Sequence, residues 1–197
     1  RAELDVVKVS VFAYGMLRAT YRLLSAGGAM GRGCGPLLVA RTADIDQQKL
    51  ADPRTRIAVP GRWTTANCLL SLYQPDARHK VFMPFDDIMP AVSRGEVDAG
   101  VIIHEGRFTY PRYGLVVVAD LGAWWETTTG RPVPLGAIIA KRSLGRTSAA
   151  AVESAIRDSL AAARARPDRP LAFMRQHAAE MDDDVLRQHV AAYVNEY

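Results

Sequence analysis

The sequence predicts an α/β fold of two lobes with a hinge and an inter-lobe cleft, and three observations carry that prediction. Strand-like and helix-like segments alternate through most of the chain. The apolar run GPLLVAR leads into a polar connection, Thr42 to Arg56, and VPLGAIIAK later returns from a proline-rich segment. A chain that leaves one lobe and comes back makes two crossings. From about Ser148 the pattern is helical to the end. On this reading residues 1–41 and 137–197 form the first lobe, incomplete at its N-terminus, and residues 42–136 form the second.

The elements follow in order. VVKVSVFAY is a strand that feeds a helix near MLRATYRLL. A glycine-rich turn, GGAMGRGCG, precedes the short buried strand GPLLVAR. RIAVPG is a strand, and TTANCLLSLYQ follows with helical spacing. KVFMPF, the helix DDIMPAVSRGE and the strand DAGVIIHEG come next, then LVVVADLG and VPLGAIIAK as the last strands. The alternation suggests largely parallel sheets. In the tail Pro167 and Pro170 separate two helices, and Asp182 to Asp184 offer N-caps for a third.

Composition narrows the function classes. With 49% apolar and 23% charged residues the chain has the balance of a globular protein. No apolar run approaches the ~20 residues of a membrane span, so no membrane partner is expected. The net charge is +4, but the basic residues are scattered among acidic ones and never alternate with aromatics, which argues against nucleic acid. Of the 25 basic residues 21 are Arg, a bias that fits overall composition better than a binding face. Cys34 and Cys68 stand in no metal-ligand spacing and read as isolated thiols in a reducing compartment.

Chemistry has few places to sit. In VPGRWTTA a strand ends at Pro60-Gly61 and a helix begins at Thr64 or Thr65. First-turn N–H groups and the positive end of the helix dipole suit a carboxylate or phosphate. Plain capping by Thr64 explains the same residues and is favoured on the residues alone. In DAGVIIHEGRF, His104 falls at the carboxyl end of a buried strand, where open α/β sheets bind ligands. An imidazole there can remove a proton from a carbon acid or a hydroxyl. A structural histidine at a strand end is an equal alternative. Glu105 is expected to point away from it if the alternation persists. In KVSVFAY, Ser10 and the backbone near Lys8 and Val9 could donate into the same cleft, although a lone strand serine is ordinarily structural and no GxSxG surrounds it.

The remaining features are quieter. GRGCGP is neither a Walker loop nor a completed GxGxxG, so no nucleotide cofactor is expected. Its glycines serve either a close backbone approach or a tight turn. His79, His177 and His189 lack partners at metal-ligand spacing, so no metal is expected. Trp124 and Trp125 read as packing residues. Arg107 could clamp a carboxylate, but a surface charge is the favoured account.

Taken in order, KVSVFAYG, GRGCGPLLVAR, VPGRWTTA, FDDIMPAVSRGEVDAGVIIHEGRFTYPRYGL, DLGAWWETTTGRPVPLGAI and HVAAYVNEY resemble the 1,4-dihydroxy-6-naphthoate synthases, with Val97 to Gly136 the most specific block. The resemblance implies a type 2 periplasmic-binding-protein-like fold and a cytoplasmic lyase of the futalosine route to menaquinone. It implies cleavage of cyclic de-hypoxanthinyl futalosine, a small anionic aromatic substrate, into 1,4-dihydroxy-6-naphthoate and dihydroxyacetone without cofactor or metal. His104 matches the proposed proton acceptor. Lys8, Val9 and Ser10, with Thr64 and Thr65, match substrate-contacting segments.

The chain also departs from that pattern. Relatives open with a strand and a Ser-Pro-Cys-Pro-Asn-Asp-like loop, and they tend to continue past Tyr197. A truncated form with an unpaired sheet edge and exposed apolar surface is the expectation. Alternative functions within the same architecture are chorismate dehydratase and a non-catalytic solute-binding protein, and architecture by itself does not choose among them.

Overall fold

The computed structural model describes residues 3–177 and 182–194, and their strands fall into two sheets. The first is built on one long strand, β9 (Val133–Lys141). β1 (Val6–Ser10) lies along one edge of β9, with Val6 opposite Ala140 and Ser10 opposite Gly136. β2 (Tyr21–Leu23) and β3 (Ala29–Gly31) share its other edge, β2 near Lys141 and β3 near Val133. The second sheet has the order β6 (Lys80–Phe82), β5 (Ile57–Val59), β7 (Ala99–Ile102), β4 (Leu37–Ala40) and β8 (Val116–Asp120).

The chain therefore leaves the first sheet once and returns once, as a two-crossing layout requires. The crossings differ in place from the expected boundaries. Leu37–Ala40, assigned to the first lobe by the sequence reading, pairs with β7 and β8 of the second sheet. Residues 133–136, assigned to the second lobe, already belong to β9. The polar segment 42–56 is a connection within the second sheet, not between sheets.

Three further expectations need correction. Among the described residues only β5–β6 and β5–β7 run parallel, whereas every pairing of the first sheet is antiparallel. Alternation of strand and helix counts crossovers but does not fix the direction in which a returning strand enters its sheet. The helix after β1 starts earlier than expected, as α1 (Val11–Leu17), and MLRATYRLL ends in β2. Those three residues pair with β9, which overrides their helical spacing. The glycine-rich turn likewise holds β3 against the same strand.

The second sheet is covered on both faces, so β4 and β7 are buried at every position. On one side α3 (Thr65–Tyr73) and α6 (Leu121–Thr129) contribute Leu69, Leu70 and Leu121 to a cluster with Leu38, Ile57 and Val59. On the other, α4 (Phe85–Ser93) packs Ile88 and Val92 with Val39 and Ala58. Trp124 meets Tyr73 edge-on at 5.6 Å and the Trp125 indole donates to Pro132 O at 3.2 Å, so both tryptophans are packing residues. The tail forms α7 (Gly145–Ala165), α8 (Asp168–His177) and α9 (Asp183–Tyr193), the last capped by Asp182. Residues 178–181 and 195–197 of the expected tail helices lie outside the described residues. No described helix is long and apolar enough to cross a membrane.

Where the two crossings pass each other, the backbones touch. A Cβ on Gly122 would lie 2.6 Å from the Gly35 Cα, so neither glycine tolerates a side chain. Arg107 ties the same point, donating to Gly35 O at 2.8 Å and to Asp120 Oδ2 at 2.6 Å. Asp120 in turn caps α6 by accepting from Ala123 N. Arg107 is thus neither a clamp for substrate nor a surface charge. Gly35→Ala should lower stability by about 1–3 kcal/mol through forced backbone displacement, read as a lower urea midpoint with an unchanged slope.

Candidate active site

All six residues singled out in the sequence, Lys8, Val9, Ser10, Thr64, Thr65 and His104, line one cavity of about 390 Å3. β1 brings the first three from the first sheet. The start of α3 and the end of β7 bring the others from the second.

At the α3 start, Gly61 has φ 140°, a conformation that glycine adopts freely, and it turns the chain out of β5. Thr64 is the N-cap: its hydroxyl donates to Gly61 O at 2.8 Å and accepts from Asn67 N at 3.2 Å. The Thr65 hydroxyl donates to Leu135 O at 3.1 Å, joining α3 to β9 across the two sheets. Both hydroxyls are therefore committed within the protein. The donors that remain are the N–H groups of Thr65 and Ala66, which lie too early in the helix to find an intrahelical carbonyl. The capping reading of Thr64 and the anion-receiving reading of this turn describe different atoms of one structure.

His104 sits two residues beyond β7. Its φ of 55° is the only positive value among the described non-glycine residues. Such a left-handed conformation is uncommon and costs energy, and the residue that holds it lines the cavity. Phe85 meets the ring edge-on at 5.4 Å, and Tyr193 donates a long hydrogen bond, 3.5 Å, to the His104 carbonyl. One side of His104 is open to the cleft. Enclosure by protein on the others is the main influence holding its pKa below the ordinary histidine value. Glu105 and Asp86 oppose that shift, and the Lys8 ammonium adds to it. The result favours the neutral, proton-accepting form.

Several residues of the cavity escaped the sequence reading. His189 and Tyr193 reach it from α9, with their rings 4.6 Å apart. Their signal was their spacing, four residues apart on one helical face, but nothing in the sequence said that this face meets the His104 turn. β7 ends at Ile102, so strand alternation does not reach Glu105; its carboxylate acts on the His104 ring and approaches His189 Nδ1 at 4.0 Å. Cys34 stands in the cavity wall as a free thiol, its pKa raised by burial and then by Glu126, so it is a protonated wall group and not a thiolate. His79 only approaches Pro53 O at 3.2 Å, at a structural position.

The sequence family described as menaquinone biosynthesis matches residues 1–197 of this chain. The chain belongs to that family. A Thermus thermophilus family member named 1,4-dihydroxy-6-naphthoate synthase is 51% identical over 198 residues, covering 98% of this chain and 69% of the relative. A crystal structure of an Archaeoglobus fulgidus protein superposes with a TM-score of 0.91 at 41% identity, covering 100% of this chain and 72% of that one. The alkanesulfonate-binding protein of Xanthomonas axonopodis shares the architecture at a TM-score of 0.70 and 12% identity, over 96% of this chain and 66% of that one. The fold is that of the two-lobed periplasmic solute-binding proteins.

The cavity carries a stability signature. Burial, then His104, then Lys8 push the His189 pKa from 6.5 down to about 4. Between those values the unfolded chain binds a proton that the folded chain refuses, so stability rises with pH across this window and falls as pH drops through it. The urea midpoint should therefore decrease from pH 7 to about pH 4.5. In His189→Gln the decrease should be smaller, because the refused proton no longer exists.

Proposed function

We propose that this chain is a carbon–carbon lyase that splits cyclic de-hypoxanthinyl futalosine into 1,4-dihydroxy-6-naphthoate and dihydroxyacetone in the cytoplasm. The observation that carries this reading is the placement of His104, a neutral imidazole on a strained turn, facing the cavity that also holds the α3 start. The name and 51% identity of the Thermus relative support it.

The geometry supports the following roles. The substrate's aromatic carboxylate is received by the N–H groups of Thr65 and Ala66, where the helix dipole favours negative charge. Thr64 and Thr65 hold that turn in place through their committed hydroxyls. Val9 lines the wall, and Ser10 and Lys8 offer an O–H and an ammonium from the other sheet. His104 takes a proton from a hydroxyl or an acidic carbon of the substrate. Where the proton comes from a hydroxyl, the O–H electrons form the carbonyl of the departing three-carbon fragment as the carbon–carbon bond breaks, and the electron pair of that bond enters the ring as it becomes aromatic. Aromatisation supplies driving force, so positioning and one base suffice. The two sheets mark lobes that hinge at the crossings and close over this substrate. Solute-binding proteins share the architecture, so the fold does not select the chemistry; a base aimed into the cleft does.

Purified chain incubated with the substrate should release 1,4-dihydroxy-6-naphthoate, detectable by chromatography. His104→Ala should lower turnover by about 100-fold or more. Binding without cleavage by the parent chain would instead make this a solute-binding protein, and product from chorismate would make it the dehydratase. The acid limb of kcat/KM should fall below pH 6.5, because the lowered pKa keeps His104 neutral as the medium turns mildly acidic.

A further inference from the structure

We infer that His189, oriented by Glu105, is a further ligand-binding residue of the site and accepts a hydrogen bond from a hydroxyl of the bound ligand. The inference rests on the function proposed above for the identity of that ligand, whose three-carbon portion carries hydroxyl groups.

His189 is set among three groups. Its Nδ1 faces the Glu105 carboxylate at 4.0 Å, its ring lies 5.8 Å from that of His104, and Tyr193 packs against it one helical turn later. The Glu105 and His189 side chains are only 22% and 31% exposed, so their pairing is shielded from bulk water. A carboxylate beside Nδ1 favours the tautomer with the proton on that nitrogen. The other nitrogen, Nε2, on the far edge of the ring, then keeps a lone pair and is an acceptor. The 4.0 Å separation exceeds hydrogen-bond reach, and contacts of this kind tighten when a cleft closes on its ligand.

An acceptor must also stay uncharged. Enclosure, the neighbouring His104 and the Lys8 ammonium all disfavour protonation of His189, so it remains neutral around pH 7 while His104 handles the proton. With the rings 5.8 Å apart, a charge on His104 disfavours one on His189, and the two divide the work. One takes the proton and the other holds a hydroxyl in place. Because His189 lines the cavity, the donor it meets is a ligand O–H. Tyr193, whose phenol is kept protonated by burial, closes the same wall from below and donates to the His104 backbone.

The test has two arms. Nitrogen-15 NMR of the histidine rings in the intact chain, without substrate, should show His189 as the Nδ1–H tautomer, and Glu105→Leu should abolish that preference. Calorimetry with cyclic de-hypoxanthinyl futalosine, in a His104→Ala background where the substrate survives, should show His189→Phe binding roughly ten-fold more weakly. His189→Gln, which keeps an acceptor, should stay within a few-fold of the parent. An Nε2–H tautomer, or Phe and Gln variants that bind alike, would overturn the inference and leave the proposed function standing. Absence of substrate binding in every variant would remove both. Binding with the expected tautomer and Gln/Phe ranking, but no cleavage by the parent chain, would sink the proposed function alone.

Discussion

The structure depends on the junction of Arg107, Gly35 and Asp120. Both passages of the chain between the sheets meet there, and one guanidinium satisfies a carbonyl from the first passage and a carboxylate from the second. Arg107 is also three residues after His104, so the link that holds the crossings together also holds the turn that presents the imidazole. Glycine at 35 and 122 is required because the two backbones approach without space for a side chain. A partly buried, doubly hydrogen-bonded arginine of this kind is worth more than an exposed ion pair, since removing it strands a carboxylate and a carbonyl.

From that junction the site is assembled by three different structural devices. A strained backbone aims His104, a capped helix start exposes two N–H groups, and the tail helix α9 supplies the aromatic and imidazole wall. Each has a cost that the surrounding packing offsets. The φ of His104 is sustained because the clusters on both faces of the second sheet leave β7 no freedom to relax. Enclosure by the surrounding protein is the main influence lowering the pKa of both His104 and His189.

Much of the site was legible in the sequence. VPGRWTTA declares a strand, a glycine turn and a capped helix, each by local rules that need no tertiary information. DAGVIIHEG declares a buried strand ending in a histidine. What stayed hidden were groups whose relevance is a matter of docking. Arg107 read as a surface charge because its partners are 72 and 13 residues away. β2 and β3 were missed because Tyr21–Leu23 falls in a stretch with helical spacing and Ala29–Gly31 in a glycine-rich turn, and only pairing with β9 makes them strands.

The sequence by itself determined most of the elements, the family and the chemical types present: a histidine just past a strand end and a threonine-capped helix start after a glycine turn. These are local properties, set by turn chemistry, capping and hydrophobic period. Only the tertiary structure decided the direction of the strands, the place of the crossings and the gathering of six residues from distant segments around one cavity. It also decided that His189 stands beside His104 and near the Glu105 carboxylate. Strand direction and inter-element docking are long-range properties, fixed when apolar faces find each other, and no local pattern encodes which distant face that will be.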